Sequence, residues 1–252
     1  MTLPDFFCAA FIAIALLFDH FIVWRAFLRR SEGEPGVARL ALYRALVAEL
    51  WVQVAGIALL WLLLGRRWAL LGLTTPTGWR LWASLAVVFA SALVLSAAVV
   101  RLARLMRRKR VKMHSQVAVR SPHTSSELRW WAAVSLSAGF CEELIFRGFL
   151  IWLLQPTLGW WAAAGLSLLV FAMAHAYQGL GGVTAVAAVG ALLTLTVFAF
   201  NSLWPAIAMH ALLDLQQGLV AWLVLRQGRG SGISAAPGVD GVTNESRGRP
   251  VA

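Results

Sequence analysis

Apolar runs long enough to cross a bilayer, separated by short polar connections, dominate this chain. A span needs about 20 mostly apolar residues, and stretches of that kind occupy residues 6–24, 40–64, 81–100, 130–154, 160–176, 181–200 and 203–225. The pattern predicts an all-α polytopic membrane protein. It has about seven transmembrane helices, eight being the alternative count, around an intramembrane polar cavity. The first five residues carry no positive charge, so the first span reads as a retained helix rather than a signal peptide. From residue 227 onward Gly, Ser, Pro and scattered charges replace the apolar runs, a composition that buries no core and predicts a disordered tail at 227–252. Residues 1–115 then form an N-terminal set of helices ending in a basic loop. Residues 116–226 form a second helical unit that carries the polar motifs.

Composition agrees with a membrane class. Hydrophobic residues make up 60% and charged residues 13% of the chain, and mean hydropathy is +0.74. A soluble domain carries about 25% charged residues. The net charge of +11 is concentrated. Arg101, Arg104, Arg107, Arg108, Lys109, Arg110, Lys112, Arg120 and Arg129 lie between the third and fourth spans. Arg25, Arg29, Arg30 and Arg39 border the first connection, and Arg226 and Arg229 follow the last span. With seven spans these regions share one side, which the positive-inside rule makes cytoplasmic, with the N-terminus outside and the plasma membrane as the expected location. Arg66, Arg67 and Arg80 face outward as exceptions. Such juxtamembrane clusters set topology and favour anionic lipid, so no nucleic-acid partner is expected. Trp61, Trp68, Trp79, Trp82, Trp130, Trp131, Trp160, Trp161 and Trp204 fall near span ends, where indole rings prefer the interface. Cys8 and Cys141 stand in different apolar runs and imply neither a disulfide framework nor a zinc knuckle. No internal repeat suggests an inverted-repeat transporter.

The chemistry sits where hydrocarbon makes it costly. Glu142 and Glu143 lie inside an apolar run with Arg147 one turn on, and an ionised side chain at a span centre costs about 2.5–3.5 kcal/mol on insertion scales. Glu143 and Arg147 are four apart, the favourable orientation for an intrahelical pair. Glu142 points about 100° away and is left free to act. Two further pairs follow at the same spacing, Phe171 with His175 and His210 with Asp214. A carboxylate four residues from an imidazole can fix its tautomer.

Together, Glu142-Glu143-Leu144-Ile145-Phe146-Arg147, Phe171-Ala172-Met173-Ala174-His175 and His210-Ala211-Leu212-Leu213-Asp214 resemble the motifs of the CPBP family. That family comprises the CAAX proteases and bacteriocin-processing enzymes and is also called Abi. Its pattern is a double Glu with Arg four on, then Phe-x-x-x-His, then His-x-x-x-Asn or Asp. The resemblance covers the later spans, and implies an intramembrane endopeptidase acting on a peptide or membrane-protein substrate, prenylated (CAAX-type) or carrying a leader peptide. Peptide hydrolysis needs an activated water and a stabilised oxyanion. The residues suggest Glu142 as general base, His175 orienting the water, His210 facing the oxyanion and Asp214 holding its ring, with Glu143, Arg147 and Phe171 in support. No cofactor is required by this scheme. Zinc on Glu142, His175 and His210 is the alternative, although no His-Glu-x-x-His is present. A transporter or proton relay, or a non-catalytic peptide-binding immunity protein, would use the same groups differently. Straight spans would leave His175 and His210 at different depths, so convergence calls for a broken or tilted helix, with Gly179, Gly181, Gly182 and Pro205 as the places for it.

Overall fold

The computed structural model describes residues 2–109 and 115–230. Among these residues all regular structure is helical. Helix α1 (Leu3–Phe18) opens on a capping box between Thr2 and Asp5 and passes through a π-helical stretch, Asp19–Val23, into α2 (Trp24–Ser31). Helix α3 (Pro35–Leu63) begins on a proline, whose fixed φ suits a first turn. Helices α4 (Trp79–Lys109) and α5 (Ser115–Arg120) follow. Helix α6 (Ser125–Glu142) starts with a second capping box, Thr124 with Glu127, and runs through a longer π-helical stretch, Glu143–Leu150, into α7 (Ile151–Leu158). Helices α8 (Trp160–Ala174), α9 (Gly179–Phe200) and α10 (Trp204–Gly230) complete the bundle.

Among the described residues five helices are long and apolar enough to cross a membrane: Leu3–Ser31, Pro35–Leu63, Trp79–Arg101, Ala176–Phe200 and Trp204–Arg226. The chain is a multi-pass membrane protein. Each of the seven predicted segments coincides with a helix, but two fall short of a simple span. The continuous rod 125–158 is interrupted by Glu127, Arg129, Glu142, Glu143 and Arg147. Helix α8 has 15 residues, a length of about 22 Å against a hydrocarbon thickness of about 30 Å. Two boundaries also move. Helix α4 continues through the basic residues to Lys109, and α10 continues to Gly230, so residues 227–230 of the expected tail are helical. The rest of that tail, with Arg110 and Lys112, lies outside the described residues.

Lipid offers little hydrophobic drive between helices, so membrane bundles associate through close packing and internal polar bonds. Both are present. At Gly139 an added Cβ would sit 2.8 Å from the Cβ and backbone nitrogen of Ala211, so α6 and α10 cross almost backbone to backbone. Arg39 grips Glu127 with two bonds of 3.1 Å, tying α3 to the start of α6. Burial raises the Glu127 carboxyl, but the Arg39 bonds and the His123 and Thr124 N–H groups outweigh it and hold the group below its ordinary value. Arg66, one of the outward exceptions, donates to Asp5 at 3.0 Å and lies over the rings of Trp61 and Trp152. Its charge is therefore spent internally. Trp61 departs from the interfacial expectation. It is fully buried, edge-on to Trp152, with its indole N–H donating to the Arg67 carbonyl. Trp79, Trp82 and Trp161 are well exposed, as interface anchors should be.

Candidate active site

The approach of α6 and α10 places the end of one against the first half of the other. Glu142, His175, His210 and Asp214 all line one cavity of about 420 Å³. Phe171 lines it as well, while Glu143 and Arg147 stand behind the wall and are buried. The rotation of successive helical residues has the expected effect: Glu142 faces the cavity and Glu143 faces protein.

Glu143 is the node of the arrangement. Its Oε1 accepts from Arg147 Nη1 at 2.9 Å and lies 2.8 Å from His210 Nδ1. The sequence pointed to Asp214 as the partner that fixes this ring. Instead Asp214 Oδ2 stands 3.7 Å from His210 Nε2, beyond hydrogen-bond length, and so does Glu142 Oε2. A helical i, i+4 neighbour is close by construction, but Glu143 arrives from the crossing helix with better aim. Arg147 carries five donors, more than one carboxylate can absorb. Two others go to the Gly190 carbonyl at 3.1 Å and the Thr194 hydroxyl at 3.4 Å, both on α9. Sequence reading missed these two residues; the surplus of donors on a buried arginine was the signal for them.

Phe171 is the hub of the aromatic packing. Arg147 lies over its ring at 4.2 Å, and Phe146, His175 and His210 surround it with centroids at 5.1, 4.9 and 6.1 Å. Gly190 leaves room for this stack: a Cβ there would meet Leu168 at 2.7 Å, Arg147 Nη2 at 2.9 Å and Phe171 at 3.1 Å.

The depth mismatch is resolved at the end of α8. That helix stops at Ala174, His175 caps it, and a 3-10 turn (Ala176–Gln178) leads to Gly179 at φ +76°, a conformation that glycine adopts freely. His175 Nδ1 donates to the Phe171 carbonyl at 2.9 Å, which leaves Nε2 as the accepting nitrogen. Of the other places suggested for a break, Gly181 and Gly182 are inside α9 and Pro205 is in the first turn of α10. The π-helical stretch at 143–150 was not foreseen. Its Phe146 carbonyl accepts from the Ser167 hydroxyl of α8 at 2.6 Å.

Two carboxylate oxygens are buried without a hydrogen-bond partner, Glu142 Oε2 and Glu143 Oε2. The residue carrying the first, Glu142, lines the cavity. Among the described residues no three His, Cys, Asp or Glu side chains are grouped so as to hold a metal ion. His210 commits Nδ1 to Glu143, which leaves Nε2 to stand 3.7 Å from Glu142 Oε2.

Residues 124–216 match the family described as Type II CAAX prenyl endopeptidase Rce1-like. The match contains all three motifs and is consistent with the CPBP resemblance. No curated protein and no solved structure matches the chain.

Proposed function

With an Rce1-like protease domain at residues 124–216 as premise, we propose that this chain is a metal-free intramembrane endopeptidase whose general base is Glu142. One observation carries the reading: Glu142 Oε2 is buried, unpartnered and 3.7 Å from His210 Nε2 in a cavity that His175 also lines. That separation is too long for a direct bond and short enough for one oxygen atom to touch both.

In this scheme a water in the cavity donates one hydrogen to Glu142 and the other to His175 Nε2. As its oxygen attacks the scissile carbonyl carbon, Glu142 takes the proton. The developing oxyanion accepts from His210 Nε2–H. With Nδ1 donating to Glu143, the ring carries both protons in this state, and Glu142, Glu143 and Asp214 balance its charge. Glu142 then returns its proton to the departing nitrogen as the C–N bond breaks. General-base help is worth about 10²–10⁴ in rate and an oxyanion donor about 10²–10³. The substrate is a peptide reached from the membrane, either a prenylated C-terminal (CAAX-type) segment or a leader peptide. The enzyme sits in the plasma membrane with its basic connections on the cytoplasmic side.

The test is cleavage of membrane-derived peptides by purified protein, wild type against Glu142→Gln. Glu142→Gln should give no products while melting at the wild-type temperature, and chelators should leave the wild type active. Turnover by Glu142→Gln removes Glu142 as base; loss with a chelator and recovery with zinc restores the metal scheme.

A further inference from the structure

The catalytic cavity extends well beyond the motif residues, into helices that the family match does not cover. Asp19, from the first π-helical stretch, and Glu49 and Gln53, from α3, line the same cavity as Glu142 and His210. Gln53 is 2% exposed. Its amide nitrogen donates to Glu49 Oε1 at 3.3 Å, one helical turn earlier, and its amide oxygen is buried with no partner. A buried amide oxygen left unmatched costs about 1–3 kcal/mol, so a position like this calls for a donor from elsewhere.

We propose that Glu49 and Gln53 form a substrate subsite that takes a cationic side chain, Lys or Arg, of the peptide being cleaved. This rests on the cavity being the peptide site, as argued above. The wall offers acceptors, a carboxylate and a bare amide oxygen, with the Asp19 carboxylate on the same cavity. The carboxylate and the bare amide oxygen are matched by a group that brings several donors at once: an ammonium has three and a guanidinium five. Charge balance points the same way. Among the described lining residues, Arg120 is the single Lys or Arg against four acids, Asp19, Glu49, Glu142 and Asp214, of which Glu142 and Asp214 face His210 and leave Asp19 and Glu49 on the α3 side. Arg120 lies over the Tyr177 ring at 5.0 Å. A carboxylate at membrane depth is expensive unless paired. An incoming cation pairs it, whereas an apolar or acidic side chain leaves it as it was. The catalytic end of the cavity therefore supplies the chemistry, and the α3 wall selects which peptide is presented to it.

The experiment uses the full-length protein in detergent and a randomised peptide library, with products read by mass spectrometry. Wild-type products should be enriched in Lys or Arg close to the cut by about tenfold, the scale of a charge-assisted hydrogen bond. In Glu49→Gln and Gln53→Leu that enrichment should largely vanish while neutral peptides are still cut. Glu142→Gln should yield no products. Uniform residue use by the wild type, or unchanged enrichment in Glu49→Gln, overturns the subsite. Binding gives a reading that needs no catalysis. Binding of Ac-Leu-Lys-Leu-amide and of its norleucine counterpart, measured by isothermal titration calorimetry, is compared in wild type and Glu49→Gln. A Lys preference of about tenfold that Glu49→Gln abolishes supports the subsite even if no peptide is cut, in which case the protease reading falls alone. Equal binding of the two peptides refutes the subsite and leaves the protease reading standing.

Discussion

Replacing Glu143 by Gln keeps the shape of the central node and removes its charge. In the wild type the Arg147 side chain is 1% exposed and the Glu143 side chain fully buried, so neither can turn to solvent when the other changes. The Gln oxygen still accepts one bond, and Gly190 and Thr194 still hold two donors of the guanidinium. What remains is a buried cation without a counter-charge. Removing one partner of a buried pair costs about 3–5 kcal/mol, and the surviving bonds put this case near about 3. For a chain of this size each kcal/mol moves the melting temperature by roughly 2–4 °C, so Glu143→Gln should melt about 6–12 °C lower. Tryptophan fluorescence on heating, at fixed detergent and protein concentration, measures it. The double variant Glu143→Leu with Arg147→Met removes both charges but leaves His210 Nδ1 without its acceptor, so it should recover only part of the loss. A Glu143→Gln melt within about 2 °C of wild type, or a double variant worse than the sum of its singles, would refute the node as drawn.

Other expectations follow from the same geometry. Gly190→Ala forces a methyl group between Leu168, Arg147 and Phe171; overpacking of this kind costs about 1–3 kcal/mol, and cleavage should fall with the melting temperature. Asp214→Asn should keep turnover within about tenfold of wild type in peptide assays, because no hydrogen bond joins Asp214 to His210 and the family pattern admits Asn. Glu127, ahead of the apolar run, is held below its ordinary carboxyl value by Arg39. A depressed folded-state value contributes stability above the unfolded-state value, and that contribution is lost as pH falls through the folded value. Melting temperatures of wild type and Glu127→Gln should therefore differ near neutral pH and converge as pH drops below the ordinary carboxyl range.

Much of the site was legible because its residues come in i, i+4 pairs on apolar helices, a spacing that fixes a shared face before any tertiary contact is known. The turn of Glu142 into the cavity, with Glu143 turned away, follows from that alone. Contacts between helices were not legible. Nothing local to His210 says that Glu143, 67 positions earlier, will take its Nδ1. Thr194 and Gly190 look like ordinary members of an apolar span. Trp61 reads as an interface anchor by its position near a helix end, yet Phe149, Trp152 and the Arg66 guanidinium pack against its ring. Asp19 and Glu49 belong to none of the three motifs, and their cavity forms only when α1 and α3 meet α6 and α10.

The π-helical stretch at Glu143–Leu150 has a consequence for how the rod 125–158 tolerates change in length. Its wider turns accommodate residues that a regular helix would place in a different phase. Because a π-turn holds one residue more than an α-turn, taking an apolar residue out of that stretch lets it close toward a regular helix and keeps Trp152 near Trp61. A residue lost from α6 has no such slack and would turn everything after it by about 100°. Tolerance for a shorter chain is therefore local to Glu143–Leu150.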